Sequence, residues 1–213
     1  MKYHKINSVF KRDGKGRFTD EFSCKEYAML LSASWMFYEK IDGTNIRIMY
    51  NPEKKEVEFR GRTDNAQIPP HLLKYLQTTI TIEKLDALGI DKPFILYGEG
   101  FGHKIQNGGL YFPNEKGAVA IALFDIWING VFLTKENVCD IAGKLDVDCV
   151  QFVAGGPLID AIMVFKENKK IFSHYNPELL IEGVVGTPCY DLRTRTGERI
   201  ITKLKYKDFK EAK

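Results

Sequence analysis

The sequence predicts an α+β fold in which antiparallel or mixed β-sheets are flanked by helices. Three observations predict it: strand-like runs follow one another between residues 35 and 62, helical patterns occupy the middle of the chain, and strand-like runs return in the last third. This order differs from the strict strand–helix alternation of a doubly wound parallel sheet. With 213 residues and 44% hydrophobic content, the chain is expected to form one continuous domain, residues 1–213.

The first strands are expected on either side of short turn signals. Asp42-Gly43 and Asn51-Pro52 supply these signals, and short turns join neighbouring antiparallel strands, so a meander is predicted. It would place Lys40 at a strand end, beside a tight turn. The strands of this meander are predicted at residues 35–40, 45–50 and 56–62.

Helices and further strands follow in order. Pro69-Pro70 opens a predicted helix over residues 71–88, Thr134 is a predicted N-cap for a helix that ends near Leu145, and Pro157 precedes a helix over residues 158–166. Later strands are predicted at residues 94–98, 119–128, 180–185, 189–193 and 199–206.

Composition excludes several protein classes. The 31 Lys and Arg residues against 28 Asp and Glu give a formal net charge of +3, so a polyanionic partner would require clustered charge. Four cysteines without metal-ligand spacing are expected to be reduced core thiols. The longest apolar run, residues 118–128, is far shorter than the roughly 18 residues of a membrane span, so a soluble, cytoplasmic protein is expected.

Lys40, in Glu39-Lys40-Ile41-Asp42-Gly43, is a candidate covalent nucleophile. A lysine at its usual pKa of about 10.4 is protonated and cannot attack phosphorus, so a nucleophilic lysine needs burial or neighbouring cations. The pairs Arg60/Arg62 and Lys203/Lys205 offer such cations, because residues two apart on a strand point the same way. A solvated strand face is the alternative for each pair.

Two glutamates and one aromatic residue complete the candidate site. Glu99 lies just past one predicted apolar strand and Glu182 lies within another. Each precedes a glycine, and a carboxylate in such a place needs a partner. An arginine would explain one of them, whereas the repeated pattern favours a metal or ribose site. Phe124, before Asp125, is either a core residue or a platform for a nucleobase.

In their order along the chain these motifs resemble the covalent nucleotidyltransferases, which comprise ATP-dependent DNA ligases, RNA ligases and mRNA capping enzymes. The finer details, including Gly43-Thr44-Asn45 and Gly61-Arg62-Thr63, are most similar to the RNA ligase 2 group, some of whose members carry histidine in place of Asp42. The resemblance implies an adenylation domain of the ATP-grasp-like type. The matching motifs are Lys40-Ile41-Asp42-Gly43, Arg62, Gly98-Glu99, Phe124-Asp125, Glu182-Gly183 and Lys203-Leu204-Lys205.

The resemblance also implies a reaction and a set of roles. Lys40 would attack the α-phosphate of ATP and expel pyrophosphate, with Mg²⁺ or Mn²⁺ as the cofactor metal. The AMP would then pass to a 5′-phosphate end, and a 3′-hydroxyl would displace AMP to seal the strand. Glu99 and Arg62 would bind the ribose, and Phe124 would stack on the adenine. The implied catalytic residues are Lys40, Glu182, Lys203 and Lys205; the nucleotide-binding residues are Glu39, Asp42, Asn45, Arg62, Glu99, Phe124, Lys203 and Lys205; and the metal ligands are Glu182, Asp42 and Asp125.

The activity implied is that of an ATP-dependent RNA ligase that repairs broken RNA, with a nicked duplex among the candidate substrates. A minimal DNA ligase or a capping-type guanylyltransferase is the second interpretation, and a non-enzymatic nucleotide- or RNA-binding module is the third. Only the residues 206–213 follow Lys205, so neither a C-terminal OB-fold nor a helical domain is expected. RNA would be held by an accessory protein or domain, or by the basic N-terminus, for which a solvated or frayed terminus is the alternative. Its basic residues are Lys2, Lys5, Lys11, Arg12, Lys15 and Arg17.

Overall fold

The computed structural model describes residues 3–210, and the chain divides into two compact units. Unit 1 comprises Met1–Tyr3 and Ile41–Val150, and unit 2 comprises His4–Lys40 and Gln151–Lys213. Each unit contains a β-sheet and a hydrophobic core of its own. The boundary directly after Lys40 is not apparent in the sequence, which predicts one continuous domain.

Strands and helices alternate irregularly along the chain, and the predicted α+β class is confirmed. Within residues 3–210, no helix is both long enough and apolar enough to cross a membrane. Residues up to Lys40 form β1 (Asn7–Ser8), β2 (Phe10–Arg12), β3 (Phe18–Phe22), α1 (Lys25–Met29) and β4 (Ser34–Lys40). Next come β5 (Thr44–Asn51), β6 (Glu56–Gly61), α2 (Pro70–Thr79), α3 (Ile82–Asp86), β7 (Phe94–Gly102), a 3₁₀ helix (Gly108–Tyr111), β8 (Val119–Ile128), β9 (Val131–Phe132), α4 (Lys135–Leu145) and β10 (Asp148–Cys149). The chain continues with β11 (Phe152–Pro157), α5 (Leu158–Lys166), β12 (Gly183–Pro188), β13 (Thr202–Lys205) and α6 (Tyr206–Lys210).

Unit 1 is built on a sheet of strand order β10-β8-β7-β5-β6, with β9 added beside β8. All of its pairs are antiparallel except β10 with β8. One face carries apolar side chains, including Ile46, Ile48 and Leu96, and these pack with apolar residues of α2, α3 and α4. Because side chains alternate across a sheet, the residues between these apolar positions point to the opposite face.

Unit 2 is built on a sheet of strand order β1-β13-β12-β4-β11, and β2 and β3 form a separate hairpin. The strand β12 lies between β4 and β13 and is antiparallel to both. Trp35, Phe37, Val184 and Leu204 of this sheet pack with apolar residues of α5 and α6. The core therefore lies on one side of the three strands that carry Lys40, Gly183 and Lys205.

The meander predicted for residues 35–62 is wrong. β4 pairs with β11 and β12 in unit 2, whereas β5 pairs with β6 and β7 in unit 1, so only the β5–β6 hairpin is confirmed. The glycine at position 43 is explained by close packing rather than by a hairpin turn. A Cβ on Gly43 would lie 2.3 Å from the Gly100 carbonyl oxygen. Glycine is needed there for close packing against β7, not for a hairpin between β4 and β5.

The remaining element predictions have mixed outcomes. Thr134 caps α4 by accepting a hydrogen bond from the Asn137 N–H, and α5 begins directly after Pro157, as predicted. The helix predicted over residues 71–88 is instead two helices, because the chain breaks after α2 and the Thr81 side chain caps α3. Residues 189–193 form a loop, and β12 begins at Gly183 rather than at residue 180.

A disulfide joins Cys139 of α4 to Cys149 of β10. The prediction that all four cysteines are reduced thiols is therefore wrong. The sequence separation of 10 residues matches no motif, and the pairing results from the chain reversal that places β10 beside β8, against which α4 packs. Cys24 and Cys189 are free.

Candidate active site

Lys40, Lys203 and Lys205 lie on one face of the unit 2 sheet. Lys40 on β4 and Lys205 on β13 both lie opposite Gly183 on β12, and Lys203 lies opposite Val185. Residues two apart on a strand share a face, so the strand register gathers the three amines. The predicted pairing of Lys203 with Lys205 on one strand is confirmed.

Gly183 is the residue that lets these strands approach. A Cβ at this position would lie 2.0 Å from the Leu204 carbonyl oxygen and 2.8 Å from the Lys205 Cα. Real Cβ atoms do not come so close to backbone, and any larger residue would push β13 away from β12. The glycine after Glu182 is therefore required by packing.

The Glu182 carboxylate is shared by two of the lysines. Lys40 Nζ donates a hydrogen bond to Glu182 Oε2, and Lys205 Nζ lies 3.6 Å from Glu182 Oε1. All three side chains are largely buried, so these charges interact more strongly than they would in water. Sequence reasoning assigned all three residues to one site, and the structure brings them together.

The same face is crowded with positive charge. Burial, together with the charges of Lys205 and Lys40, lowers the pKa of Lys203 below its usual value. Burial also lowers the pKa of Lys205, although the carboxylates of Asp208 and Glu182 oppose this change. An anionic group bound here would relieve the repulsion among the lysines, so the site favours a phosphate.

Glu39 does not join this face. Because it neighbours Lys40 on β4, its side chain points to the opposite side of the sheet, where it is only 3% exposed. The Ser173 hydroxyl donates to Glu39 Oε1 at 2.6 Å, and the His174 N–H donates to Oε2 at 3.1 Å. The carboxylate thus anchors the end of β4 next to Lys40.

In unit 1, the sheet face opposite the core carries polar residues. Asn45 lies opposite Glu99, Arg47 lies opposite Tyr97, and Tyr97 lies opposite Asp125. Burial raises the pKa of Tyr97 to about 12, so its hydroxyl stays protonated at neutral pH. The strand register thus places Asn45 beside Glu99, and Asp125 beside Tyr97 two residues farther along β7.

Asp42 and Gly43 are held beside Glu99. The Asp42 N–H donates to the Tyr111 hydroxyl at 2.9 Å, and Asp42 Oδ2 accepts from Asn107 Nδ2 at 2.7 Å. A Cβ on Gly43 would lie 3.0 Å from Glu99 Cγ. Two predicted motifs of unit 1 are therefore in contact through this glycine.

Phe124 is the extra residue of a β-bulge in β8, because Asp125 lies opposite Tyr97 while Leu123 lies opposite Gly98. Its ring centroid lies 5.0 Å from that of Tyr3. Asp125 is only 2% exposed, and it accepts a hydrogen bond from the Tyr3 hydroxyl and lies 3.9 Å from Lys135 Nζ. These partners hold Asp125 in place, and its role as a metal ligand stays a prediction.

Arg62 is exposed and lies directly after β6, in a segment that a second arginine holds. Arg47 is 2% exposed, donates to the Gly61 carbonyl at 2.8 Å and pairs with Asp64 at 2.8 Å. Sequence reasoning missed Arg47. The signal was present, because a charged residue between Ile46 and Ile48 in an apolar strand must have partners.

The predicted metal ligands do not form a ready-made cage. Among residues 3–210, no three His, Cys, Asp or Glu side chains cluster in a way that suits a metal ion. Mg²⁺ is often bound by one or two carboxylates plus substrate phosphates, and Glu182 fits that pattern. Asn45 Oδ1 is buried and has no hydrogen-bond partner within the described part of the chain, which suits a ligand or metal-bound water.

Within the described part of the chain, three of the six basic N-terminal residues form ion pairs. Lys2 lies outside the described residues. Lys11 pairs with Glu21 at 2.7 Å, Arg17 with Asp13 at 3.0 Å and Arg12 with Asp208 at 2.7 Å. Because β1, β2 and β3 include much of this segment, the frayed-terminus alternative does not hold for it.

Charge is divided unequally between the units. Unit 2 contains 18 Lys and Arg residues against 13 Asp and Glu, a formal charge of +5. Unit 1 contains 13 against 15, a formal charge of −2. The net positive charge of the chain, which favours a polyanionic partner, is therefore contributed by unit 2.

Comparison with known proteins identifies a matching family and similar solved structures for this chain. A sequence model of the family described as RNA ligase matches residues 33–205. No curated protein matches the chain. A Naegleria gruberi RNA ligase variant with ATP and Mn has a TM-score of 0.65 and 16% identity, over 96% of this chain and 63% of that one.

Other structures from the same organism give similar values. The RNA ligase with PPi has a TM-score of 0.65 and 17% identity, over 97% of this chain and 62% of that one. A variant with AMP and Mn has a TM-score of 0.66 and 16% identity, over 96% and 62%. At such identities the likeness shows the fold, and the chain spans less than two thirds of the length of these relatives.

Proposed function

The chain belongs to the RNA ligase family, and from this premise we propose that it is an ATP-dependent RNA ligase that acts through a covalent lysyl-AMP intermediate. The observation that carries the proposal is the row Lys40, Gly183, Lys205, with Glu182 shared between the two amines. A candidate nucleophile, a carboxylate and a second cation thus meet at one place. The structures of Naegleria gruberi RNA ligase with ATP, AMP and PPi support the choice of nucleotide.

The first step would form a bond between Lys40 Nζ and the α-phosphorus of ATP and break the bond to the β-phosphate oxygen. Lys40 attacks as the neutral amine and releases one proton to solvent as the P–N bond forms, and pyrophosphate leaves with the electrons of the broken bond. Lys203 and Lys205 would lie against the phosphate and offset the charge on its oxygens, which is the main contribution a protein makes to such a transfer. Fixed strand register holds these lysines in place before ATP arrives, which reduces the entropic cost of the step.

Glu182 would change partners when the nucleotide binds. In the structure it accepts from Lys40, and an amine that donates to a carboxylate is not yet a nucleophile. We propose that Glu182 then holds Mg²⁺ or Mn²⁺, whose charge would further neutralise the phosphates. Asn45, with its buried Oδ1, and Asp42 are the proposed supporting residues in unit 1.

Residues of unit 1 would bind the nucleoside. Glu99 is proposed to accept hydrogen bonds from the ribose hydroxyls, Arg62 to lie near the sugar and Phe124 to stack on the adenine. Arg47 would support Arg62 by holding the segment after β6. For Glu39 we propose an indirect part in nucleotide binding, because its carboxylate is occupied by Ser173 and His174.

The remaining proposals concern the substrate and the extent of the catalytic unit. RNA with a 3′-hydroxyl and a 5′-phosphate end is the proposed substrate, and the charge of +5 on unit 2 supports binding of a polyanion there. An accessory protein or domain is a further proposed partner in holding RNA. We propose that residues 1–213 act as a single adenylation domain.

Covalent labelling tests the proposal. Purified protein is incubated with α-labelled ATP and magnesium, and the label that survives denaturation is measured. The chain should become labelled, Lys40→Ala should not, and the exposed-lysine control Lys169→Ala should behave like the wild type. Equal labelling of Lys40→Ala would overturn the assignment.

Sealing assays then test the substrate. Nicked and single-stranded RNA, nicked DNA and hybrid duplexes are offered to the pre-adenylated protein, and competition between ATP and GTP is measured in the first step. We expect ATP to be preferred and RNA ends to be joined. Sealing of DNA with none of RNA would reject RNA as the substrate while leaving the covalent chemistry intact.

A further inference from the structure

Asp208 is a buried carboxylate that the predicted site does not include. It lies on α6, three residues after Lys205, and is only 1% exposed. The match to the RNA ligase family ends at Lys205, so Asp208 lies outside it. A buried carboxylate is costly unless it has charged or hydrogen-bonding partners, so its partners indicate what it does.

Within residues 3–210, Asp208 contacts two cations and a hydroxyl. Arg12 Nη2 lies 2.7 Å from Oδ1, and Lys205 Nζ lies 3.9 Å from the same oxygen. The Ser8 hydroxyl donates to Oδ2 at 3.5 Å. Two of these partners, Ser8 and Arg12, also precede the family match, which begins at residue 33.

The contacts extend the active-site charges into an alternating series. Lys40 donates to Glu182, Glu182 lies 3.6 Å from Lys205, Lys205 lies 3.9 Å from Asp208, and Asp208 pairs with Arg12. Lys205 therefore lies between two carboxylates, that of Glu182 directly before β12 and that of Asp208 on α6. Such a position restrains its ammonium group from both sides, although the side chain itself is long and flexible.

The distances show that Asp208 binds its two cations unequally. Its short contact is to Arg12, which is further fixed because its guanidinium lies 4.8 Å from the centroid of the Phe18 ring. Arg12 thus supplies most of the charge that Asp208 needs. The contact to Lys205, at 3.9 Å, is longer than a hydrogen bond, so Asp208 attracts that amine by charge without binding it directly.

We propose that Asp208 is a positioning residue for the ligase reaction, which together with Glu182 holds the Lys205 ammonium at the face that receives the α-phosphate. Arg12 and Ser8 keep the Asp208 carboxylate in the orientation this requires. The proposal rests on the proposed function, because it acts through the phosphate contact of Lys205.

A purely structural Asp208 would instead only join α6 to β1 and β2. The two roles differ in how the effects of substitutions combine. Residues that act through one another are not additive, whereas the effect of a general loss of structure is independent of Lys205. A double-mutant cycle between Asp208 and Lys205 therefore separates them.

The cycle measures single-turnover formation of lysyl-AMP at saturating ATP for the wild type, Asp208→Asn, Lys205→Ala and the double variant. Asp208→Asn should slow the step about 10-fold, the scale expected for one charge-assisted contact. Lys205→Ala should slow it more, and the double variant should be no slower than Lys205→Ala alone. The exposed acid Asp160 on α5 provides the control Asp160→Asn, which should match the wild type.

Any other result of the cycle either contradicts the proposed role of Asp208 or shows that a variant, or the proposed function, has failed. The proposal would be overturned if the fold-reductions in rate of the two single variants multiplied in the double variant, or if Asp208→Asn kept the wild-type rate. If Asp208→Asn does not fold, the same cycle is measured with Arg12→Gln instead. Loss of Arg12 should draw the Lys205 ammonium toward Asp208, so the variant should slow lysyl-AMP formation only in proteins that contain Lys205. A wild type that forms no lysyl-AMP would reject the proposed function itself.

Discussion

The two units place their polar residues by different means. In unit 2, backbone register determines where the lysines lie. Gly183 lets β12 and β13 approach each other, and Lys40 and Lys205 lie together because both are opposite Gly183. In unit 1, buried side chains act in addition to strand register, because Arg47 holds the segment after β6 and Tyr3 and Lys135 hold Asp125. The lysines of unit 2 should therefore be most sensitive to a backbone change at Gly183, whereas the polar face of unit 1 should also respond to the loss of single polar contacts.

Gly183→Ala is the sharpest test of the backbone-controlled unit. The added methyl group would meet the Leu204 carbonyl oxygen at 2.0 Å, so β13 must shift and carry Lys203 and Lys205 with it. We expect a loss of about 3 kcal/mol of unfolding free energy, together with a larger loss of lysyl-AMP formation than any single polar substitution in unit 1 causes. Denaturant unfolding and single-turnover labelling measure the two effects.

Gly155→Ala is the matched control for this substitution. Gly155 lies on β11 of the same sheet, and its Cβ would have only ordinary contacts, the nearest at 3.6 Å. Stability and labelling should stay close to those of the wild type. An equal loss in both variants would show that the sheet tolerates no added methyl group, and would remove the special role of Gly183.

Glu99→Gln tests the contact-controlled unit and has a smaller expected effect. If Glu99 accepts hydrogen bonds from the ribose, its loss should weaken ATP use by about 10- to 100-fold, the range for a hydrogen bond to a charged group. The preference for ATP over 2′-deoxy and 3′-deoxy ATP should shrink by a similar factor. The rate of labelling as a function of nucleotide concentration measures both.

The control is Glu58→Gln, which changes an exposed acid on β6 of the same sheet. It should leave nucleotide use unchanged. A Glu99→Gln protein that still discriminates fully against the deoxynucleotides would assign the ribose hydroxyls to another residue.

The disulfide of unit 1 should have the smallest effect on catalysis. Cys139 and Cys149 close a short loop, which stabilises a fold by about 3 kcal/mol through restriction of the unfolded chain. Cys139→Ser should therefore lower the melting temperature, yet leave labelling at Lys40 unchanged at temperatures well below it. Cys189→Ser, at an exposed free cysteine, is the control. Loss of labelling in folded Cys139→Ser would show that the cross-link shapes the site.

Much of this arrangement was predictable because it depends on local pattern. The strand that ends at Lys40, the cap at Thr134 and the alternation of Lys203 with Lys205 follow from spacing alone, and the structure confirms them. The order of the motifs also predicted the RNA ligase family, which the match to residues 33–205 confirms.

What could not be predicted depends on long-range pairing. β4 and β5 are adjacent in sequence but belong to different sheets, and an Asp-Gly pair does not indicate whether it turns a hairpin or packs on a distant strand. The disulfide and the contact between Asp208 and Arg12 likewise join segments whose proximity only the fold determines. One signal visible in the sequence was overlooked: Arg47, a charged residue between Ile46 and Ile48 in an apolar strand, had to be buried with partners.

The most direct test of the central claim is to locate the adduct itself. The wild-type protein is incubated with ATP and magnesium and digested, and its peptides are mapped by mass spectrometry under conditions that preserve phosphoramidates. We predict one AMP per chain, attached to Lys40, and removed when pyrophosphate is added before digestion. An adduct at Lys203 or Lys205, or no adduct in a protein that seals RNA, would contradict the account.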